Sequence, residues 1–456
     1  MYCAMRIWIR SVIILSAVGL LSCSEPQPPP NIILISIDTT RRDHLSVYGY
    51  HLDTTPRLSG LFEEGAKIDM AYSPSATTGP SHTTMLTGAY PIAHRVIKNG
   101  LTLGDDVLTL PELLNANGYQ TAAVISAFVL DGKFGLSQGF DLYHDDLPIS
   151  ESTHIQALWE NQLVSEGFDR RSDYTSSHAI KWLREARDPD RPFFMFVHYF
   201  APHYPYVPPP EFAERFVPEG TLEKSYPAEV GLYDAEIAFT DAEIGRLIDV
   251  LDGLGLKDDT IVVVTADHGE GLMQHDWMFH GVHIYEEAVR VPLIFRFPKQ
   301  IPSRQEISGP VELTDLAPTL LDLIGMDVSE GAYHGRSLAA ALRGQSDLDE
   351  QRPVFLHRRP FQGDFRGSYW AEGEVFGVRE GQWKYLEGKE EKLRQLFDLD
   401  QDPKEKENLI EEFPDIAKKL ARKIEQWKLA HQSAEGVINQ MTDEDIEKLR
   451  ALGYIQ

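Results

Sequence analysis

Beyond its N-terminal leader this 456-residue chain contains no cysteine; the only two are Cys3 and Cys23. The folded part therefore has no disulfide, no thiolate metal site and no catalytic thiol. Positive charge is scarce too. Lys and Arg number 43 against 70 Asp and Glu, for a formal net charge of -27. So acidic a chain tracks nucleic-acid phosphates poorly, and no nucleic-acid partner is expected. An anionic substrate would need a local positive site, such as a metal ion, set against that background. Internal repeats are missing, and no apolar run is long enough for a comfortable membrane span.

The leader reads as a secretion signal. Arg6 and Arg10 form a positive n-region, and Ser11 to Leu21 a short apolar core. Leu20-Leu21-Ser22-Cys23 resembles the bacterial lipobox, in which the cysteine is lipidated and becomes the mature N-terminus. An ordinary signal peptide with an incidental cysteine is the alternative. Residues 1–22 are expected to be removed, and residues 23–30 to form a Pro-rich tether. Acyl chains on Cys23 would anchor a bacterial lipoprotein to a membrane outside the cytoplasm, in the periplasm or on the cell surface.

The rest is globular in composition, with 42% hydrophobic and 25% charged residues. Asn31 to Ile37, Pro192 to Val197, Thr260 to Thr265 and Val291 to Phe297 are continuous apolar runs, as expected of strands buried on both faces. Tyr119 to Ile125 reads as a further strand. Helices are expected after Thr55-Pro56 and over Leu110–Asn117, Ser177–Ala186, Tyr233–Leu251 and Thr314–Ile324. This alternation predicts an α/β fold over residues 31–343: a large, mixed, mostly parallel sheet sandwiched by helices, with sites at the carboxyl ends of its strands. The pattern changes after Arg343. Gly377–Leu386 and Gln395–Asp400 read as short antiparallel strands and Pro414–Leu429 as a helix, giving a small α+β subdomain over residues 344–435. Residues 436–456 predict a last helix, with a capping box at Thr442 and Asp445. Specificity is expected from the loops Leu142–Tyr174 and Tyr204–Pro227.

Chemistry-bearing residues gather where such a sheet places its ligands. Asp38 follows Asn31–Ile37, and Asp267-His268-Gly269-Glu270 follows the run beginning at Thr260. Hard carboxylate with imidazole suits a divalent cation. Consecutive strand residues point opposite ways, so Asp267 and His268 face one ion only if the chain turns, which Gly269 makes easy. A third cluster is Thr78-Gly79-Pro80-Ser81-His82. Pro80 fits the first turn of a helix, which puts Thr78 where free N–H groups and the dipole favour anionic oxygens. A hydroxyl there can attack an ester if a metal lowers its pKa. His82, four residues on, shares its face. The same spacing also fits Thr78 as an N-cap with His82 on the surface, and Asp38 as a turn cap. His198, His203, His275, His280 and His283 crowd the remaining loops. A lone histidine is usually structural; several on strand-end loops favour metal ligands or donors to oxyanions.

Together these blocks resemble the sulfatase family of the alkaline phosphatase superfamily, from about Asn31 to Leu409. Asp38 through His44 resembles the first metal-binding block, Thr78 through Gly88 the nucleophile block and Ala201 through Tyr206 the substrate-histidine loop. Thr265 through Gly271 resembles the second metal block. His280-Gly281, Tyr285-Glu286 and Arg290 through Leu293 resemble the block after it. Phe397 through Leu399, Asp402-Pro403 and Asn408-Leu409 resemble the C-terminal signature. Three departures stand out. Thr78 replaces the Cys or Ser that sulfatases oxidise to formylglycine, His82 replaces an arginine, and Thr39 replaces the second aspartate of the first block. Thr-x-Pro-Ser-His is instead similar to the nucleophile block of nucleotide pyrophosphatase/phosphodiesterases, which use unmodified threonine and usually bind two metals. Ala201 stands where one of their extra acidic ligands is expected.

The resemblance implies a metal-dependent hydrolase of phosphate or sulfate esters, acting on a small-molecule or glycan anionic ester. One divalent ion (calcium, or manganese, zinc or magnesium) would be held by Asp38, Thr78, Asp267 and His268, with a second ion left open. Thr78 would attack in line to give a covalent phosphothreonine. The catalytic residues would be Thr78, His82, His203 and His280, with His203 and His280 holding oxygens or protonating the leaving group; His82 and Arg42 would support the centre, and Arg42, His203 and His280 would bind substrate. Phosphate esters lead in this reading. A sulfatase without formylglycine, a phosphoryl-group transferase and a non-catalytic binding protein are the alternatives. Substrate identity and oligomeric state are not legible in the sequence.

Overall fold

A computed structural model describes residues 29–152, 157–159, 162–164, 168–222, 224–329, 331–366 and 369–431. Cys23, the signal region, most of the tether and the helix expected over Thr442–Leu452 lie outside these residues.

The first apolar run forms β1 (Asn31–Ile37), buried along its whole length. The large sheet continues with β2 (Ala66–Tyr72), β3 (Gln120–Val124), β4 (Leu142–His144), β5 (Phe193–Tyr199), β6 (Thr260–Ala266), β7 (Leu293–Arg296) and β8 (Gln305–Glu312). Their order is β8-β2-β7-β6-β1-β5-β3-β4, and a two-residue strand, Arg290–Val291, pairs β2 off this path. β1 is central and parallel to both neighbours, β5 and β6. β7 runs antiparallel to β6 and β2, which makes the sheet mixed.

Successive residues of β1 serve opposite faces, as strand geometry dictates. Ile32 and Leu34 pack with Met85, Leu316 and Leu320 on one side. Ile33, Ile35 and Ile37 pack with Leu58, Tyr233 and Leu247 on the other. Each fully buried side chain of this size contributes on the order of 2 kcal/mol, so neither face can be left bare. The covering helices are α1 (Pro56–Glu63), α2 (Thr78–Thr87), α3 (Leu110–Ala116), α4 (Ser172–Lys181), α5 (Tyr226–Gly253) and α6 (Leu316–Leu323). None of the helices among the described residues is long and apolar enough to cross a membrane.

Several boundaries differ from the sequence reading. The run Val291–Phe297 is interrupted at Pro292, which has no N–H to donate, so it splits into two strands. α5 starts at Tyr226, earlier than Tyr233, with Pro227 in its first turn. β2 was not expected, because Lys67 and Asp69 break up its apolar pattern. The expected strand Gly377–Leu386 is a hairpin, turning at Gly381 with φ 59.

That hairpin belongs to a second sheet of β9 (Val354–Arg366), β10 (Tyr369–Glu380), β11 (Trp383–Gly388) and β12 (Leu393–Asp398), antiparallel throughout. α7 (Pro414–His431) packs Ala417, Leu420 and Ile424 onto Val378, Tyr385 and Leu396. Buried Lys384 of β11 ties this subdomain to the main domain, with Nζ 3.0 Å from Glu286 and 2.9 Å from Glu405.

Candidate active site

Register brings the two aspartates together. Ile37 of β1 stands opposite Ala266 of β6 in a parallel pair, so Asp38 and Asp267 leave neighbouring strand ends side by side. Thr39 then turns the chain with φ 50. Tyr233 of α5 pins that turn: its hydroxyl donates to Thr39 O and accepts from Arg41 N, both at 2.8 Å.

Asp38, Asp267 and His268 are fully buried, and one ligand atom from each lies within 4.8 Å of the others. Asp267 Oδ1 accepts the N–H groups of Thr39 at 3.2 Å and His268 at 2.8 Å. Its Oδ2, both Asp38 oxygens and Thr39 Oγ1 have no hydrogen-bond partner. His268 Nδ1 faces Gly269 O at 2.9 Å. A carbonyl only accepts, so Nδ1 carries the proton and Nε2 turns a lone pair inward. That lone pair meets Asp267 Oδ2 at 3.3 Å and Asp38 Oδ1 at 3.8 Å. Burial pushes the Asp38 carboxyl up to about 7. It raises Asp267 too, with the Asp38 charge as second cause. Acceptors converging in a buried space are costly unless a cation joins them. Orphaned hard oxygens with one imidazole fit a divalent ion, and these three residues form a group that can hold one.

Thr78 is the first residue of α2. The N-cap is Thr77, and no side chain caps the helix, so the Thr78 hydroxyl is not used as a cap. It lies 3.3 Å from His268 Nε2 instead. Ser81 Oγ donates to Asp267 O at 2.7 Å, locking the helix to the end of β6.

His82 is buried rather than on the surface. Nδ1 donates to Thr78 O at 2.8 Å and Nε2 meets Ser36 Oγ at 2.9 Å. Burial drives its pKa down to about 3, so it is neutral. The sequence reading placed it among the catalytic residues; with both nitrogens occupied, it positions α2 against β1 rather than reacting. His203 and His280 do converge on the site. The His280 ring lies 4.5 Å from that of His268 and 5.0 Å from that of His203. His280 Nδ1 is 3.3 Å from Glu270 Oε1. His203 donates Nδ1–H to Tyr204 O at 2.7 Å and stacks on Phe200. His198 adds its Nε2 at 3.4 Å from Asp38 Oδ2.

Arg42 departs from its expected place. Its guanidinium binds Asp69 and lies over the Tyr48 ring, in a pocket lined by Arg41, Asp43, Glu286 and Arg290. The cause is local: Arg42–His44 form a short 3-10 turn, and β2 offers Asp69 beside it. His275 is structural as well, held by Glu287 Oε1 at 2.5 Å and Glu405 O at 3.2 Å.

One residue escaped the sequence reading. Asn99 Oδ1 accepts the N–H of Gly79, directly after Thr78, at 2.7 Å. Its Nδ2, buried, has no partner. A Cβ at Gly79 would come 2.9 Å from Asn99 Oδ1, so glycine allows this approach. Asn99-Gly100 reads only as a turn in sequence.

The sequence pattern described as "Sulfatase" matches residues 30–326, and that of "N-sulphoglucosamine sulphohydrolase, C-terminal" residues 274–430. The N-acetylglucosamine-6-O-sulfatase of Bacteroides thetaiotaomicron is 27% identical, over 90% of this chain and 89% of its own. A protein solved in complex with its substrate D-glucosamine-2-N,6-O-disulfate superposes with TM-score 0.73 at 24% identity, covering 88% of this chain and 98% of that one. The phosphonate monoester hydrolase of Agrobacterium radiobacter superposes with TM-score 0.72 at 21% identity, covering 88% and 96%. These two likenesses show the shared fold. With its family pattern spanning well over half the chain and its mixed sheet built like theirs, this protein belongs to the sulfatase family, an ester hydrolase of the alkaline phosphatase-like superfamily.

Proposed function

We propose that the chain hydrolyses an anionic ester with the unmodified Thr78 hydroxyl as nucleophile, and that the ester is a sugar sulfate. The observation carrying this reading is the position of Thr78 Oγ1, 3.3 Å from His268 Nε2 within the buried Asp38–Asp267–His268 group. A divalent ion held by Asp38, Asp267, His268 and Thr78 would supply a lowered hydroxyl pKa and neutralise charge on the ester oxygens.

The chain's own groups do the rest. Thr78 Oγ attacks the central sulfur in line, forming a covalent Thr78 ester as the bond to the leaving alcohol breaks. Asn99 Nδ2, buried and without a partner, would meet the charge that develops on the non-bridging oxygens. His203 and His280 bind those oxygens or give the leaving alcohol its proton. Water then displaces Thr78 and releases the anion. Thr39 supplies a neutral hydroxyl where related first metal blocks carry a second carboxylate, leaving a less negative centre.

Sulfate is supported by the family and by relatives named for sugar sulfates. A phosphate ester is the second reading, favoured by Thr78 itself, a plain hydroxyl that stands where sulfatases carry a Cys or Ser oxidised to formylglycine. Purified wild-type and Thr78→Ala proteins, tested on aryl sulfates, sugar sulfates and phosphate mono- and diesters, separate these readings. The wild type is expected to turn over one class, and Thr78→Ala to lose several orders of magnitude while staying folded. Wild-type rates in Thr78→Ala would refute the mechanism.

The same proposal anchors the enzyme outside the cytoplasm through Cys23. Cys23→Ala in the full chain should shift the protein from the membrane to the soluble fraction; unchanged membrane association would refute the anchor.

A further inference from the structure

His198 is fully buried, and neither of its ring nitrogens has a hydrogen-bond partner. It stands on β5 opposite Ser36 of β1, two positions before Asp38. No block of the family resemblance contains it, since the nearest begins at Ala201. The His82 ring, itself fixed by Thr78 O and Ser36 Oγ, packs nearly perpendicular to it at 4.9 Å.

His198 Nε2 lies 3.4 Å from Asp38 Oδ2. A charge-assisted N–H···O bond to a carboxylate is shorter, about 2.7–2.9 Å. Two donors bound to one four-coordinate ion, each at about 2.0–2.1 Å, stand roughly 3.4 Å apart. Much the same spacing recurs from His268 Nε2 to Asp267 Oδ2 and to Thr78 Oγ1, 3.3 Å in each case. Asp38 thus has an imidazole nitrogen beside each oxygen, His268 Nε2 at 3.8 Å from Oδ1 and His198 Nε2 at 3.4 Å from Oδ2. Neither oxygen has a hydrogen-bond partner. Left unjoined, a buried imidazole and a buried carboxylate carry a desolvation cost that a cation between them offsets.

We propose that His198 Nε2 is a further metal ligand, acting with Asp38 Oδ2, and that the centre therefore favours a transition metal such as zinc over calcium. This rests on the reading of Asp38, Asp267 and His268 as a metal centre. Calcium takes oxygen ligands, whereas imidazole suits zinc. His268 offers one nitrogen, and His198 adds a second.

The test is calorimetric titration of the full chain, stripped of metal by a chelator, with Zn2+ and separately with Ca2+. His198→Ala should weaken zinc binding about 100-fold or more, beyond the usual cost of an outer-shell partner. Calcium binding should stay nearly unchanged. Equal weakening for both ions overturns the proposal, because it makes His198 only a support for Asp38. No weakening of zinc overturns it too. A second readout needs no variant. In the Co2+-loaded wild type, proton NMR should show two strongly shifted imidazole N–H signals, from His268 and His198; a single signal contradicts the assignment. Asp267→Asn tells the two readings apart. If the wild type binds neither ion, the metal-centre reading falls and this inference with it. Zinc binding that Asp267→Asn abolishes and His198→Ala leaves untouched removes His198 alone.

Discussion

Thr78 Oγ1 and His268 Nε2 lie 3.3 Å apart, although 190 residues separate them along the chain. Two unrelated local decisions meet there. Pro80 and the extended Thr77 start a helix at Thr78, and the parallel register of β1 and β6 delivers His268 to the same point. The result is a hydroxyl beside an imidazole nitrogen and two aspartates, all of them buried side chains.

That arrangement predicts a stability effect of metal. With ion at about 100 times its Kd, a site present only in the folded chain adds about 2.7 kcal/mol. A chelator should lower the wild-type Tm by several degrees, whereas Asp267→Asn should be nearly indifferent to it. Differential scanning calorimetry with elemental analysis decides; identical chelator responses would contradict the assignment.

Asn99→Ala should reduce kcat by roughly 100- to 1000-fold, the usual cost of losing an oxyanion donor. It also frees Gly79 N, so Asn99→Asp is the control, keeping the Oδ1 acceptor while removing the N–H groups. Steady-state kinetics on both variants should show similar losses. A fully active Asn99→Asp would assign Asn99 a purely structural part.

The fold should weaken in acid through buried neutral histidines. His94 accepts Val96 N–H at 3.2 Å and contacts Thr84 Oγ1 at 3.1 Å, and burial drives its pKa down to about 3 from an ordinary 6.5. The unfolded chain binds the proton more readily, so stability rises with pH across this window. The contribution, a few kcal/mol, is complete above 6.5 and is lost as pH falls toward about 3. Denaturant melts from pH 7 to pH 4 should show the decline, and His94→Gln should flatten it.

Lys384→Met should cost about 3–5 kcal/mol, because it strands two buried carboxylates, Glu286 and Glu405. Urea denaturation measures this. A change under about 1 kcal/mol would mean that the pair has rearranged or taken up protons.

Much of this architecture was legible. Runs such as Asn31–Ile37 and Thr260–Ala266 declare buried strands, because both faces demand apolar residues. Asp38, Asp267 and His268 declare themselves by following those runs. Other parts were hidden for physical reasons. β2 carries Lys67 and Asp69 and exists through its partners β7 and β8, which lie far along the chain. Arg42 looked like a site residue until Asp69 of that same strand claimed it. Asn99 is visible only through a hydrogen bond across 20 residues, which no local spacing encodes. His82 keeps the spacing expected of it but spends both nitrogens on Thr78 O and Ser36.

The most direct measurement is peptide mapping by mass spectrometry after rapid acid quench of the enzyme turning over its ester. A sulfuryl or phosphoryl group should be found on Thr78 in the wild type and be missing in Asp267→Asn. Sustained turnover with Thr78 never modified would contradict a threonine nucleophile.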